Sequence, residues 1–357
     1  MNPSQRPYTV VLLVPTGIAA AIGGYAGDAL PVARAVAQVA DCLITHPNVL
    51  NGAQLYWNLP NALYVEGYGL DRFAAREWGL RPVHQNRVGL ILDQGIEPEL
   101  RWRQLQAADA TRATLGLHLT DYIVTDAPLQ VNLKLAASGA TWGTIQQPDS
   151  LLRAAETLIR QAGAEAIAVV ARFPDDPGSA ALQQYRHGRG VDPLAGAEAV
   201  ISHLVVREFG IPCAHAPALS PLPLDPDISP RSAAEELGYT FLPCVLVGLS
   251  RAPQLLQRCQ SSRCGDIWAD QVDAIVVPAT ACGGSAVLSF SQTQTQVIAV
   301  RDNQTTMQVP PERLRIPAIT VNSYLEALGS LVAHRAGIHV AALNPAISPL
   351  TQFQNFS

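Results

Sequence analysis

AIVVPATACGGSAVLSF, residues 274–290, decides how the chain is read. Ala274 to Val277 is an apolar run of strand length, stopped by Pro278. Thr280, Cys282, Gly283, Gly284 and Ser285 follow together, and Ala286 to Phe290 turns apolar again as the next element begins. A buried strand, a small polar glycine turn and a new element are how open α/β sheets build a site at the carboxyl ends of their strands.

The same layout recurs towards the N-terminus. Apolar runs at Tyr8–Val14, Asp41–Ile44, Ala62–Val65, Val88–Leu92 and Tyr122–Val124 read as strands. They end in Thr16-Gly17, His46-Pro47-Asn48, Glu66-Gly67, Asp93 and Asp126-Ala127-Pro128. Helical patterns separate them at Leu30–Val39, Leu70–Trp78 and Glu97–Leu115, so the sheet is expected to be mostly parallel with helices on both faces. Further on, Leu151–Gln161 and Ala195–Phe209 read as helices. Ala166–Ala171, Ile211–Ala214, Phe241–Leu249, Gln296–Val300 and Ile319–Val321 read as strands. Ser232–Leu237 is a short helix, and Ser323–Arg335 a long one with Asn322 as its cap. The fold class is therefore α/β, Rossmann-like, in two lobes: 1–175 and 190–357. Residues 173–193, FPDDPGSAALQQYRHGRGVDP, are a polar linker or lid. The proline-rich stretch from Pro217 to Arg231 is a second candidate lid.

Composition narrows the function. The chain has 357 residues, 48% of them hydrophobic and only 15% charged, with net charge −5. That supports a large core and lacks the basic clustering of nucleic-acid binders. No apolar run reaches the length of a membrane span. Tyr8 to Ile22 resembles a leader, but Pro15 and Gly17 break it and a globular pattern continues, so a cytoplasmic protein is expected. Six cysteines in so long a chain do not form a disulfide framework. Cys42, Cys213 and Cys244 read as small buried hydrophobes. Cys259 and Cys264 flank a polar loop, with a redox pair or half a metal site as the alternatives. Lys134 is the single lysine among 24 basic residues. Lysine can titrate or form a Schiff base where arginine cannot.

Four segments, PTGIAAAIGGYAGDA, THPNVLNGA, DPLAGAEAVISHL and PATACGGSAVLSF, resemble a family of uncharacterised proteins found mainly in cyanobacteria and related plastid lineages. The resemblance implies a cytoplasmic bacterial housekeeping setting and supplies no catalytic residues. Locally, Cys213 and Cys282 at two strand ends resemble the paired cysteines of cofactor-independent aspartate and glutamate racemases, although the Cys-Asn-Thr element of that family is missing here.

The expected function is an enzyme acting on a small anionic metabolite, a carboxylate or phosphate, held at the carboxyl ends of parallel strands. Cys282, Lys134, His215, His46 and Asp126 are the candidate nucleophiles, acids and bases. Thr16, Gly23, Gly24, Asn48, Glu66, Ser250, Arg251, Gly283, Gly284, Ser285, Arg301 and Asn303 are the candidate ligand-binding residues. The two glycine turns would offer N–H groups to the anion, and Arg251 or Arg301 a guanidinium. Asp192 and Glu198 also stand where they could face a ligand. Isomerase or racemase, lyase and transferase chemistry stay open, with no cofactor, nicotinamide or metal expected. Neither nucleic acid nor membrane is an expected partner, and a homodimer is left open. The alternative is a non-catalytic small-molecule-binding or sensory protein using the same crevice.

Overall fold

The structure, a computed structural model, describes residues 6–52, 55–238, 241–258 and 260–352. In chain order its strands are β1 (Thr9–Leu12), β2 (Cys42–Thr45), β3 (Ala62–Tyr64), β4 (Trp78–Arg81), β5 (Val88–Leu92), β6 (Leu119–Val124) and β7 (Val131–Leu135). They continue with β8 (Thr141–Ile145), β9 (Ala166–Arg172), β10 (Cys213–Ala218), β11 (Gln254–Gln257), β12 (Val272–Pro278), β13 (Gln296–Val300) and β14 (Ala318–Val321). Six form one sheet in the order β14-β13-β12-β1-β2-β3, and four a second in the order β10-β9-β5-β6; both are parallel throughout. The α/β class read from the sequence is the class found.

Burial on both faces explains why these strands are nearly continuous apolar runs. Val10, Leu12, Ala274 and Val276 pack on one face under the helices Leu30–Val39 and Tyr324–Arg335. Val11, Leu13, Ile275 and Val277 pack on the other, with Phe73 and Phe290 from the helices Gly67–Ala74 and Ser285–Phe290. The leader-like run from Tyr8 thus holds β1, one of the two central strands of the six-stranded sheet. Among the described residues no helix is long and apolar enough to cross a membrane.

The chain leaves β1 towards β2 and β3, and later leaves β12 in the opposite direction towards β13 and β14. The carboxyl ends of β1 and β12 therefore flank a topological switch point, where an open α/β sheet leaves a crevice. Residues 88–218, carrying the second sheet, are inserted between the two halves of the first. The expected division at 173–193 does not separate the sheets: the two units are nested, and one apolar core runs through both.

Three local readings are corrected. Phe241–Leu249 is no strand; Leu242–Ser250 is a helix wedged between the sheets. Its residues are buried on every side, which erases the periodicity that separates helix from strand, and Pro243 stands in the first turn, where it is tolerated. The helix begun near Leu70 ends at Ala74, and Trp78 opens β4, paired antiparallel with β11. Ser323 caps the last long helix by accepting from Glu326 N–H, while Asn322 binds the Glu326 carboxylate.

Candidate functional site

A cleft of about 420 Å³ opens at the switch point, between the two sheets. One wall comes from the first sheet: Thr16 after β1, His46 and Asn48 after β2, Glu66 after β3, and Gly284 and Ser285 after β12. The facing wall is the helix Ala195–Phe209 with β10, which bring Asp192, Glu198, Ser202, His203 and His215. The helices Ala180–Arg186 and Pro230–Glu236 close a third side with Tyr185, Arg186, Glu235 and Glu236.

Each polar group has a defined state. His46 Nε2 accepts the Val14 N–H at 3.2 Å, which leaves the ring proton on Nδ1. Burial lowers its pKa to about 4, so it is a neutral imidazole at physiological pH. Glu66 caps the helix Gly67–Ala74, accepting from the N–H groups of Tyr68 and Gly69 at 2.8 and 3.2 Å. Its other oxygen contacts His203 Nδ1. Burial opposes the charged form of His203, but the contact with Glu66 and the charges of Glu66 and Asp71 outweigh it, and the pKa is raised. His215 is held by Ser202 Oγ at 3.0 Å on Nδ1, with Glu198 3.7 Å from Nε2.

Asp192 and Glu235 are carboxyls taken out of their ordinary range. Asp192 accepts the Leu194 N–H at 2.8 Å at the start of the Ala195–Phe209 helix. Burial, followed by the charges of Glu235 and Glu198, raises its pKa well above the carboxylate range. Burial likewise pushes Glu235 up to about 7, with Glu198 and Asp28 adding to the shift, even though Tyr185 Oη donates to it at 2.6 Å and the Ala26 N–H also reaches it. Carboxyls crowded in low dielectric cannot all ionise together.

A family model described as a protein of unknown function (DUF3326) matches residues 9–344. The chain belongs to this family. An uncharacterized lipoprotein of Synechococcus sp. is 62% identical over 340 residues, covering 95% of this chain and 94% of the relative. No solved structure matches the chain.

Eight of the seventeen residues expected at the site of this family member line the cleft: Thr16, Gly24, His46, Asn48, Glu66, His215, Gly284 and Ser285. Gly23 lies beside it, in the left-handed region at φ +94°, with its N–H donated to Asp28 at 2.6 Å. Asn303 is buried away from it and pins the glycine loop, bonding both backbone groups of Ile22 at 2.9 Å. Gly283 packs on Val309. Ser250 ends the Leu242–Ser250 helix and bonds Val247 O, and Arg251 reaches Asn58. Arg301 stands exposed at the end of β13. Asp126 ends β6, the strand on the far edge of the second sheet, where Arg153 and then Ser150 hold its pKa down at about 2. Lys134 lies on the β7–β8 hairpin with Nζ 4.5 Å from the centroid of the Trp142 ring.

Cys282 is not the activated thiol expected at a glycine turn. It is fully buried in the layer of Val277 and Phe290, and its Sγ lies 3.6 Å from Ala279 O. Burial, aided by the charge of Glu312, pushes the thiol up to about 11. Cys213 opens β10 instead of ending a strand and is buried in a separate apolar layer with its pKa also raised, so it forms no facing pair with Cys282. Cys259 lies outside the described residues, and Cys264 is exposed. Iodoacetamide at neutral pH should therefore modify Cys264 in folded protein while Cys282 reacts only on unfolding, as mass spectrometry of the labelled peptides would record.

Tyr185, Glu235, Asp71 and Ser202 carry no marker in the sequence that ties them to the strand ends. Asp192 and Glu198 were legible, because they stand at the start of a strong helix after a glycine-rich segment.

Proposed function

We propose that the protein is an enzyme that binds a small metabolite bearing a protonated nitrogen in this cleft and moves protons on it through carboxyl and imidazole groups. The carrying observation is the carboxyl-rich lining. Six carboxyl groups, Glu66, Asp71, Asp192, Glu198, Glu235 and Glu236, stand against one guanidinium, Arg186. Arg186 is already spent on Glu236, through two bonds of 2.8 Å.

Several backbone N–H groups around the cleft are likewise engaged by the chain's own carboxyls. Gly23 N–H goes to Asp28, Ala286 N–H to Asp71, Leu194 N–H to Asp192, and Tyr68 and Gly69 N–H to Glu66. A cation entering beside Asp192 and Glu235 would favour their ionised forms and replace the solvation that burial removes. Leu13, Leu70, Leu194 and Leu219 offer apolar surface to its carbon skeleton. His215, backed by Glu198, and Glu235, pushed up to about 7, are the proton carriers in this reading, while His46, neutral with Nε2 taken by Val14 N–H, can offer only its Nδ1–H as a hydrogen-bond donor. The cytoplasmic setting belongs to the same proposal; the lipoprotein name of the Synechococcus relative points elsewhere, and cell fractionation decides between them.

A thermal-shift panel of small amines, amino sugars and polyamines against small carboxylates and phosphate esters tests the substrate class. A ligand at 100 times its Kd stabilises by about 2.7 kcal/mol. Amines should raise Tm in the native protein and not in Asp192→Asn; a shift produced by carboxylates or phosphates alone would remove the reading. Consumption of the hit, followed by mass spectrometry, separates an enzyme from a non-catalytic binding protein with the same crevice.

A further inference from the structure

The helices Ala180–Arg186 and Pro230–Glu236 hold together chiefly through each other. Arg186 clasps the Glu236 carboxylate and donates to Pro223 O at 2.7 Å. Ser232 Oγ donates to Tyr185 O at 2.7 Å, and Ser229 N–H to Arg186 O at 2.8 Å. His187 meets Asp225 at 3.0 Å. None of the side chains of 177–190 or 221–238 belongs to the three apolar clusters that form the core. Each of the two stretches is entered through a proline-bearing stalk, Pro174 to Pro177 and Pro217 to Pro223. The stalks are tied to one another where Asp175 accepts from Ser220 N–H and Oγ, at 3.0 and 2.7 Å, and to the end of β9 by Arg172.

Across the cleft this unit meets the glycine loop after β1 at one place. Tyr185 stacks on Tyr25 with ring centroids 4.4 Å apart, Tyr25 Oη donates to Tyr185 O, Glu235 receives the Ala26 N–H, and Arg231 pairs with Asp28 at 2.7 Å. The inner side carries Leu182, Leu222, Tyr185 and Glu235, all of which line the cleft.

We propose that 177–190 and 221–238 form a lid that swings on the Asp175–Ser220 base and latches on Tyr25–Asp28, opening to admit the ligand and bringing Glu235 into the site when shut. The proposal rests on the reading of the cleft as a small-molecule site. A segment with no side chain in the three core clusters, latched by one ring stack and a few polar contacts, occupies the low end of the local-stability scale. Closure by such a unit shields the bound molecule from water. The Tyr25–Tyr185 stack lets the shut form be specific without tying the lid into the core.

Amide hydrogen exchange on the ligand-free full chain tests the lid. Amides of Ala180–Arg186 and Pro230–Glu236 should exchange about a hundredfold faster than those of β1 and β12. Tyr185→Phe, which removes the bonds to Glu235 and Gly24 O, and Arg231→Gln, at an exposed position, should each speed lid exchange further without changing β1 or β12. Lid amides as protected as β12, or lid and sheet accelerated together by both variants, would overturn the proposal. Because no ligand is used, a lid that opens in a protein deaf to amines leaves the lid standing and removes the substrate class. Amine binding to a protein whose lid exchanges only on global unfolding does the reverse.

Discussion

Glu235→Gln is expected to stabilise the protein at pH 8 by about 3 kcal/mol and to cost it the ligand. A carboxyl moved from its ordinary 4.5 up to about 7 binds its proton more tightly in the folded than in the unfolded state. Its contribution to stability is therefore flat below pH 4.5, falls as pH rises from 4.5 to 7, and above 7 leaves the fold weaker by about 3 kcal/mol. Glutamine cannot ionise, yet its carbonyl still accepts the Ala26 N–H and its amide can meet Tyr185 Oη. It also relieves Asp192 and Glu198 of a neighbouring charge. His46 acts with the opposite sign, since its depressed pKa makes stability rise with pH between about 4 and 6.5. The difference between variant and native protein, measured by urea denaturation at pH 5 and pH 8, cancels that term. A gain at pH 8 that shrinks towards zero at pH 5 is the expected result; equal stabilities at pH 8 would show that Glu235 ionises there without strain. The same variant should bind any amine identified in the screen at least about tenfold more weakly, since a charge-assisted contact is lost. Stability held below its maximum at a functional carboxyl is a familiar exchange of stability for activity.

What could be read in the sequence follows from what is local. Strand ends marked by Thr16, His46, Glu66 and the Gly283-Gly284 turn were legible because an apolar run, its terminator and the polar residue after it lie within a few positions. Parallel topology then carries those ends to one edge. The same logic failed for Asp126 and Ser250. Asp126 ends a genuine strand, but on the far edge of the second sheet, and sheet order is not written in any one segment. Ser250 ends a helix that burial on all sides disguised as a strand. The glycine turns were read as anion sites. Gly23 N–H instead meets Asp28, and Ala286 N–H, just past the second turn, meets Asp71, at positions that no spacing rule connects to the turns. Glu235 and Tyr185 enter the cleft only through tertiary packing of a lid whose own sequence is polar and proline-rich.

Gly196→Ala and Gly329→Ala separate local preference from packing, and they should move stability in opposite directions. Both glycines lie in helices, Ala195–Phe209 and Tyr324–Arg335, and neither has a positive φ. Intrinsic preference alone favours alanine over glycine at a helical position by about 1 kcal/mol. At Gly329 a new Cβ would find nothing within 4 Å, so that gain should be realised, measurable as a higher urea midpoint. At Gly196 the Cβ would fall 2.3 Å from Thr141 O and 2.3 Å from Trp142 Cα. These are backbone atoms of β8, which cannot rotate away as a side-chain end could. A Cβ added to Gly143 of the same strand would likewise fall 2.4 Å from Ala197 Cβ, so strand and helix touch backbone to backbone at this point. Gly196→Ala must push the β7–β8 hairpin off the helix and should cost about 3 kcal/mol, the upper part of the range for overpacking. The cleft should register the shift as well, because Asp192 bonds the first turn of this helix while Glu198, Ser202 and His203 project from it. A protein carrying Gly196→Ala should therefore lose both midpoint and ligand-induced stabilisation. Unchanged or increased stability would mean that the hairpin does not rest on the helix, and that the wall of the cleft is positioned by something else.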